Sequence, residues 1–186
     1  MISAQDLIEK ILARATSDEC IVLVRDKTQA NLRWANSTLT TNGVIQERSV
    51  TVLAFVSMNS TMASGGVTRT NVDEKDIDSL ITEAVAAAKA AGPADDYAPL
   101  AKDLSIGDWD ASHSPTGPEV FNRFAPDLGE MMKRSVADQI ELFGYAEHTH
   151  QTTWLGSKGG LRLRHDSPIG RVEMTAKSHQ RSRSTW

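Results

Sequence analysis

Two histidines in the second half of the chain have a spacing that could hold a metal ion. His148 and His150 are two residues apart in a segment with strand character, so their imidazoles would lie on one face, with Glu147 adjacent. His165 and His179 could in principle join them. A zinc site needs three or four converging ligands, and only one pair is evident here. Surface or hairpin histidines are the favoured interpretation, and a small histidine-based metallohydrolase stays open as an alternative.

The motifs of common enzyme classes do not occur in these 186 residues. We find no His-Glu-x-x-His or His-Glu-x-x-x-His, no glycine-rich dinucleotide or phosphate-binding loop and no Gly-x-Ser-x-Gly elbow. The single cysteine, Cys20, precedes the apolar run 21–24, which favours a buried, inert thiol and excludes a disulfide framework. We therefore assign no catalytic, cofactor-binding or metal-binding residue, and we expect this chain to be inactive alone.

Hydrophobic periodicity indicates an α+β fold. Ser3 can cap a helix over 3–16, and apolar residues recur at helical spacing over 72–91, where Gly92 and Pro93 end the pattern. Apolar, β-branched or alternating segments predict strands near 20–26, 30–36, 38–47, 50–57 and 61–68. We expect a mixed β-sheet with the helices on one face, followed by a second, strand-rich segment.

Turn and cap signals punctuate these elements. The Asn-Gly pair at 42–43 predicts a hairpin, because both residue types tolerate positive φ. Glycine and proline predict further turns at 159–160 and 168–170. Asn71 and Glu74 have the spacing of a capping box for the second helix.

A proline-rich, acidic stretch divides the sequence. We predict an N-terminal α+β domain at 1–92, a connector at 93–118 and a separable, strand-rich unit at 119–186. In the last part, a helix is expected to end near Asp138, and strands follow it.

Composition and charge limit the possible partners. The chain is 40% apolar and 24% charged, with a net charge of −4, which is ordinary for a soluble globular protein. Residues 155–186 carry seven basic and two acidic side chains. Such a basic tail could bind nucleic acid, but no aromatic residues are interleaved as stacking platforms, so we favour a solvated or inter-domain face and do not expect nucleic acid as a partner.

No targeting segment is evident. Residues 1–15 are amphipathic and charged rather than apolar, so they do not resemble a signal peptide. No stretch has the ~20 mostly apolar residues of a spanning helix. We expect a cytoplasmic location and no membrane partner.

Several segments, taken in order, resemble the TldD/PmbA peptidase family, also known as modulator of DNA gyrase. The first group resembles its N-terminal domain: LRWANSTLTTNG at 32–43, the strand at 50–56, GVTR at 66–69 and the helix at 72–91. The second group resembles the segment that follows: FGYAEH at 143–148, TTWLGS at 152–157, GLRLRH at 160–165, GRVE at 170–173, AKS at 176–178 and SRSTW at 182–186. The specificity of the resemblance lies in the combination.

The resemblance implies a role in a two-subunit zinc metallopeptidase, a heterodimeric hydrolase that acts on unfolded peptides. In this family the TldD-like subunit carries the zinc motif His-Glu-x-x-x-His, and the PmbA-like subunit completes the substrate cavity without it. This chain resembles the N-terminal portion of the PmbA-like subunit, so no family zinc ligand can be carried over to it. The resemblance also implies that residues 119–186 are the truncated start of a central, strand-rich domain. Zinc is expected in the TldD-like partner, and none is expected in this chain. The alternative is a stand-alone α+β binding or assembly module without catalytic activity.

Overall fold

Long strands dominate the computed structural model, which describes residues 2–186. The helices and strands follow in chain order: α1 Ala4–Arg14, β1 Glu19–Ala35, β2 Thr38–Met58, β3 Thr61–Thr70, α2 Ile77–Ala91, β4 Ser105–Ile106, α3 Ala125–Ala137, β5 Glu141–Ser157, β6 Arg162–Ser178 and β7 Arg183–Thr185. Short 3-10 turns at Glu74–Asp76 and Pro118–Phe121 precede α2 and α3.

The strands form a mixed sheet. Their order is β3-β2-β1-β5-β6-β4, and β7 pairs with β6. β2 and β3 are antiparallel, in a register that runs from Ser49 opposite Thr70 to Met58 opposite Thr61. β4 and β6 are parallel. The helices are not interposed between every strand and the next, so the predicted α+β class is confirmed.

Two pairs of predicted strands are single strands in the structure. Residues 20–26 and 30–36 both lie in β1, and 38–47 and 50–57 both lie in β2. The separation predicted between them was wrong.

The polar residues at the predicted breaks have partners in the fold. Arg48 binds Asp26 through two hydrogen bonds, with Nε to Oδ1 at 2.5 Å and Nη2 to Oδ2 at 2.6 Å. The buried Thr28 accepts the backbone N–H of Thr116 on its Oγ1 at 2.9 Å. Because hydrogen-bonded polar groups can be buried at little cost, the strands continue through sequence that is typical of turns.

The hairpin predicted at 42–43 was also wrong, because these residues lie within β2. The turns that join β1 to β2 and β2 to β3 are Asn-Ser pairs at 36–37 and 59–60, and all four residues have positive φ, between 50° and 66°. That is the conformation of the two-residue hairpin turns that match strand twist. The turn predicted at 168–170 lies within β6 and was wrong, whereas the one at 159–160 does join β5 to β6.

The predicted helices are present, with later starts. Ser3 caps α1 through its Oγ, which accepts the backbone N–H of Asp6 at 3.0 Å. The capping box predicted from Asn71 and Glu74 was wrong; instead the Asp73 N–H donates to the Asp76 carboxylate at 2.9 Å. Within residues 2–186, none of the helices combines the length and apolar character needed to cross a membrane.

The chain forms two compact units, each assembled from three segments. Unit 1 comprises Met1–Asp26, Glu47–His113 and Thr152–Asp166, and unit 2 comprises Lys27–Gln46, Ser114–Gln151 and Ser167–Trp186. These units group the residues differently from the predicted division into 1–92, 93–118 and 119–186, which stays a prediction about domains.

Each unit has its own hydrophobic core. In unit 1, the apolar sides of α1 and α2 pack with alternate residues of β1 and β2, including Val22, Val24, Val50 and Val52, and with Trp154. In unit 2, α3 and the turn at Pro118–Phe121 pack against three groups of strand residues. These are Ala30, Leu32 and Trp34 of β1, Leu142 and Ala146 of β5, and the partly buried Met174 and Ala176 of β6.

The contact between β3 and α2 allows a direct test of this packing. A Cβ added to Gly65 would overlap the backbone of Ala87 and Ala88, whereas nothing lies within 4 Å of a Cβ added to Gly43. Because the helix backbone cannot move aside locally, Gly65→Ala is expected to lower the free energy of unfolding by about 1–3 kcal/mol. Gly43→Ala, the control, is expected to change it by less than about 0.5 kcal/mol. Urea unfolding measures both, and equal stability of the two variants would contradict the packing.

Candidate functional site

The histidines singled out in the sequence lie in different surroundings. His148 and His150 are half-buried on β5, His165 is exposed on β6, and His179 contacts its neighbour Ser178. Within residues 2–186, no group of three or more histidine, cysteine, aspartate or glutamate side chains is placed to hold a metal ion. The donor set found in this part of the chain therefore does not fit a zinc centre, which needs at least three protein ligands.

His148 lines a pocket of about 300 Å³ within unit 2. Its wall combines apolar side chains with three charged or titratable ones: Val120, Phe121, Phe124, Val172, Glu147, His148 and Arg171, with Gly170. A mostly apolar concavity with a few convergent polar groups is the usual form of a small-ligand or side-chain site. This pocket is the candidate functional site of the chain.

A short hydrogen-bond chain holds the His148 ring at the pocket. The Thr116 Oγ1 lies 2.7 Å from His148 Nδ1, and the Thr116 N–H donates to Thr28 Oγ1 at 2.9 Å. Thr28 and Thr116 are buried, so the ring is fixed from behind by groups that have little freedom to move. With Nδ1 engaged, Nε2 is the ring nitrogen that remains to form a hydrogen bond with a ligand.

The charged residues of the pocket are also held in place. Gln29 donates from Nε2 to Glu147 Oε2 at 2.9 Å. Arg171 is ion-paired with Glu173 and stacks over the Tyr145 ring at 5.6 Å. The Glu173 carboxylate raises the pKa of Arg171, so this guanidinium remains a fixed positive charge. The arrangement suits binding of an apolar group that carries a polar end, and the residues that line the pocket include no positioned nucleophile.

A second polar network lies in unit 1, around a fully buried threonine. Thr152 Oγ1 donates to Asp166 Oδ1 at 2.6 Å and lies 2.9 Å from His113 Nδ1, while Arg164 binds the other Asp166 oxygen at 2.6 Å. The hydroxyl proton is committed to the carboxylate, so the oxygen accepts from the His113 N–H. This network ties together segments far apart in sequence, and sequence reasoning missed it because Thr152 lies 39 positions from His113.

Most basic side chains of residues 155–186 have partners within the protein. Arg162 binds Glu9, Arg164 binds Asp166, and Arg181 binds Glu141. Several also lie over aromatic rings, such as Lys177 over Phe143 at 4.7 Å. These ion pairs and ring contacts therefore offset much of the positive charge of residues 155–186. Binding of nucleic acid is not tested by these contacts, and its absence stays an expectation.

Cys20 is buried, as the sequence predicted. Only 1% of its surface is exposed, and burial raises the pKa of its thiol to about 11. Since the thiolate is the reactive form, the folded protein should present no reactive sulfur near neutral pH.

The burial of Cys20 can be tested by the reactivity of its thiol. At pH 8 a thiol reagent is expected to label Cys20 at the rate of unfolding, and adding urea should bring full labelling within seconds. A surface variant, Val136→Cys at a 65% exposed position on α3, provides the control, because its added thiol should react at once in the folded protein. Rapid labelling of the unmodified protein without denaturant would contradict the burial.

Comparison with known proteins gives similarity at the level of fold. No family model matches the sequence, and no curated protein matches it. The solved structure of a candidate modulator of a DNA gyrase from Thermotoga maritima is similar at a TM-score of 0.63 and 12% identity, covering 94% of this chain and 40% of that one. A candidate modulator of DNA gyrase from Bacteroides thetaiotaomicron is similar at 0.63 and 11% identity, covering 95% and 40%. TldE from Thermococcus kodakarensis is similar at 0.63 and 13% identity, covering 97% and 40%.

These similarities define the class of fold. The chain is an α+β protein with the fold of a portion of TldE and of the two candidate gyrase modulators. It spans 40% of the length of each of them. The names of these solved structures are those of the family that the sequence segments resemble, and the similarity that they show is one of fold.

Proposed function

We propose that this chain forms part of the PmbA-like subunit of a TldD/PmbA-type zinc metallopeptidase that acts on unfolded peptides. The observation that carries the proposal is the fold similarity to TldE, which extends over 97% of this chain at a TM-score of 0.63. The sequence segments that resemble the family lie on β1, β2, β3, α2, β5 and β6, which together form most of this fold.

In this proposal the chain contributes no metal ligands to catalysis. The zinc motif His-Glu-x-x-x-His does not occur in its sequence, and His148 and His150 alone do not make a zinc site. When bound in a partner subunit, zinc would supply a polarised water for peptide hydrolysis. The residues of this chain would instead shape and support the substrate cavity, with the pocket beside His148 as the part suited to hold a peptide side chain.

The alternative is a stand-alone α+β binding module. The pocket beside His148 favours it, since Thr116 and Gln29 hold its polar residues in place without any second subunit. A binding module needs neither zinc nor a partner, so the two functions predict different outcomes in one experiment.

The test is a reconstitution of peptidase activity. The complete gene product is purified with and without a TldD-like protein from the same genome that carries His-Glu-x-x-x-His, and hydrolysis of an unfolded peptide is followed. We expect the two proteins to co-purify and zinc-dependent hydrolysis to require both. The matched control replaces the motif glutamate by glutamine in the partner, which should abolish hydrolysis without separating the pair.

Other results would contradict the proposal in different ways. Full activity of the TldD-like protein alone would exclude a subunit role. Zinc-dependent hydrolysis by this chain alone that is lost in His148→Ala would favour the histidine-based metallohydrolase. Binding of an apolar peptide without association with the TldD-like protein, reduced in Phe121→Ala, would favour the stand-alone binding module.

A further inference from the structure

We propose that the first half of β2, residues 38–46, is a docking edge that pairs antiparallel with the same segment of a second copy of this chain. The sheet order places β3 beside β2, but β3 pairs only with Ser49–Met58. One more hydrogen bond, from the Asn71 N–H to the Arg48 carbonyl at 3.3 Å, marks the end of the part of β2 that is paired on this side. Among the strands of residues 2–186, none pairs with 38–46 on the side opposite β1.

The composition of this edge favours pairing. Residues 38–46 contain no charged side chain and no proline, and their apolar residues are exposed: Leu39 by 52%, Val44 by 41% and Ile45 by 53%. Protein sheets normally protect open edges with charges or proline, because an unprotected edge offers a row of unpaired N–H and C=O groups to another strand. The backbone of this segment is therefore chemically ready to accept a strand.

β6 provides a comparison within unit 2. Its outer side is also open between the short pairings with β4 and β7. There, however, residues 167–175 include Pro168, Arg171 and Glu173, which are the usual means of protecting an edge. The open edge of β2 therefore lacks the protecting residues that β6 has.

The identity of the occupant follows from the sequence of the segment itself. An antiparallel pairing about a two-fold axis at Asn42 places Leu39 opposite Ile45 of the second copy, and the symmetry repeats this contact. The same register places Thr40 opposite Val44. Cross-strand aliphatic and β-branched pairs of this kind stabilise antiparallel sheets, and no like charges meet. The segment is thus complementary to itself, which is the condition for a symmetric dimer.

This inference does not depend on the proposed peptidase role. It concerns a part of unit 2 whose exposed residues are not among those lining the pocket beside His148. Binding of another extended peptide at this edge is a distinct outcome, and peptide titration of a monomer separates it from self-pairing.

Disulfide cross-linking tests the register. In the proposed pairing the two Asn42 residues face each other, with Cα atoms about 4.5–5.5 Å apart, which is within disulfide range. Asn42→Cys is therefore expected to form a covalent dimer under mild oxidation, and the buried Cys20 should not interfere. Thr38→Cys is the matched control, because the two cysteines would be roughly 25 Å apart and should remain reduced. Equal cross-linking of the two variants, or none in Asn42→Cys, would overturn the proposal.

Introducing charges at two positions of the segment gives an independent test of self-pairing, with association measured by sedimentation equilibrium. Leu39→Lys/Ile45→Lys places lysines opposite each other and is expected to weaken self-association at least tenfold. Leu39→Lys/Ile45→Glu changes the same positions but places opposite charges together, so it should retain association and lose it as salt is raised. Val136→Lys, at a 65% exposed position on α3, is the surface control.

The outcomes of this test are decisive. Because the two double variants alter the same residues, a folding defect would affect both, and circular dichroism checks it directly. An unmodified protein that stays monomeric over a wide concentration range, or equal association of the two double variants, would overturn self-pairing. Saturable binding of an uncharged extended peptide to a monomer, blocked in both double variants, would show that the edge accepts a different occupant.

Discussion

The structure depends on one constraint, the uninterrupted alternation of side chains along β1. Its buried residues include Cys20, Val22 and Val24, which belong to the core of unit 1, and Ala30, Leu32 and Trp34, which belong to the core of unit 2. In a strand, side chains on one face recur every second residue, so a slip of one position would expose every buried side chain that follows it. The polar stretch between the two groups must therefore remain extended, and the Asp26–Arg48 ion pair and the Thr28–Thr116 hydrogen bond lie at that stretch.

Buried threonine hydroxyl groups also hold side chains in place, at the pocket beside His148 and in the network around Thr152. The Thr116 hydroxyl orients His148, and the Thr152 hydroxyl links Asp166 to His113. In both cases a buried threonine gives a histidine one fixed hydrogen bond, which limits the ring to a single useful orientation. His148 on β5 is therefore held in one orientation, although the described residues offer no group of three metal ligands.

Local patterns in the sequence were sufficient for the helices and for most strand positions. The apolar stripes of α1 and α2 are long and regular, and Leu7, Ile8, Ile11, Leu80 and Ala84 are buried as the periodicity predicts. The fold class followed from the same patterns.

The wrong predictions have two causes. Some elements depend on contacts between residues distant in sequence, and in other cases several segments share the same local preference. Arg48 lies between two predicted strands, and its partner Asp26 is 22 positions away, while the contact of His113 with Thr152 spans 39 positions. The hairpin turns formed at Asn-Ser pairs rather than at the Asn-Gly pair, so residue preference for positive φ identifies candidate turns without choosing among them. The pocket beside His148 could not be predicted either, because α3, the turn before it and two long strands must first be placed.

Hydrogen exchange along β1 tests the central claim most directly, which is that one strand continues through the polar stretch. The amides of residues 25–29 are expected to exchange as slowly as those of 20–24 and 30–34, since the whole strand would open as part of the folded sheet. Protection at 20–24 and 30–34 combined with rapid exchange at 25–29 would contradict the account. It would restore the two separate strands that the sequence pattern alone predicts.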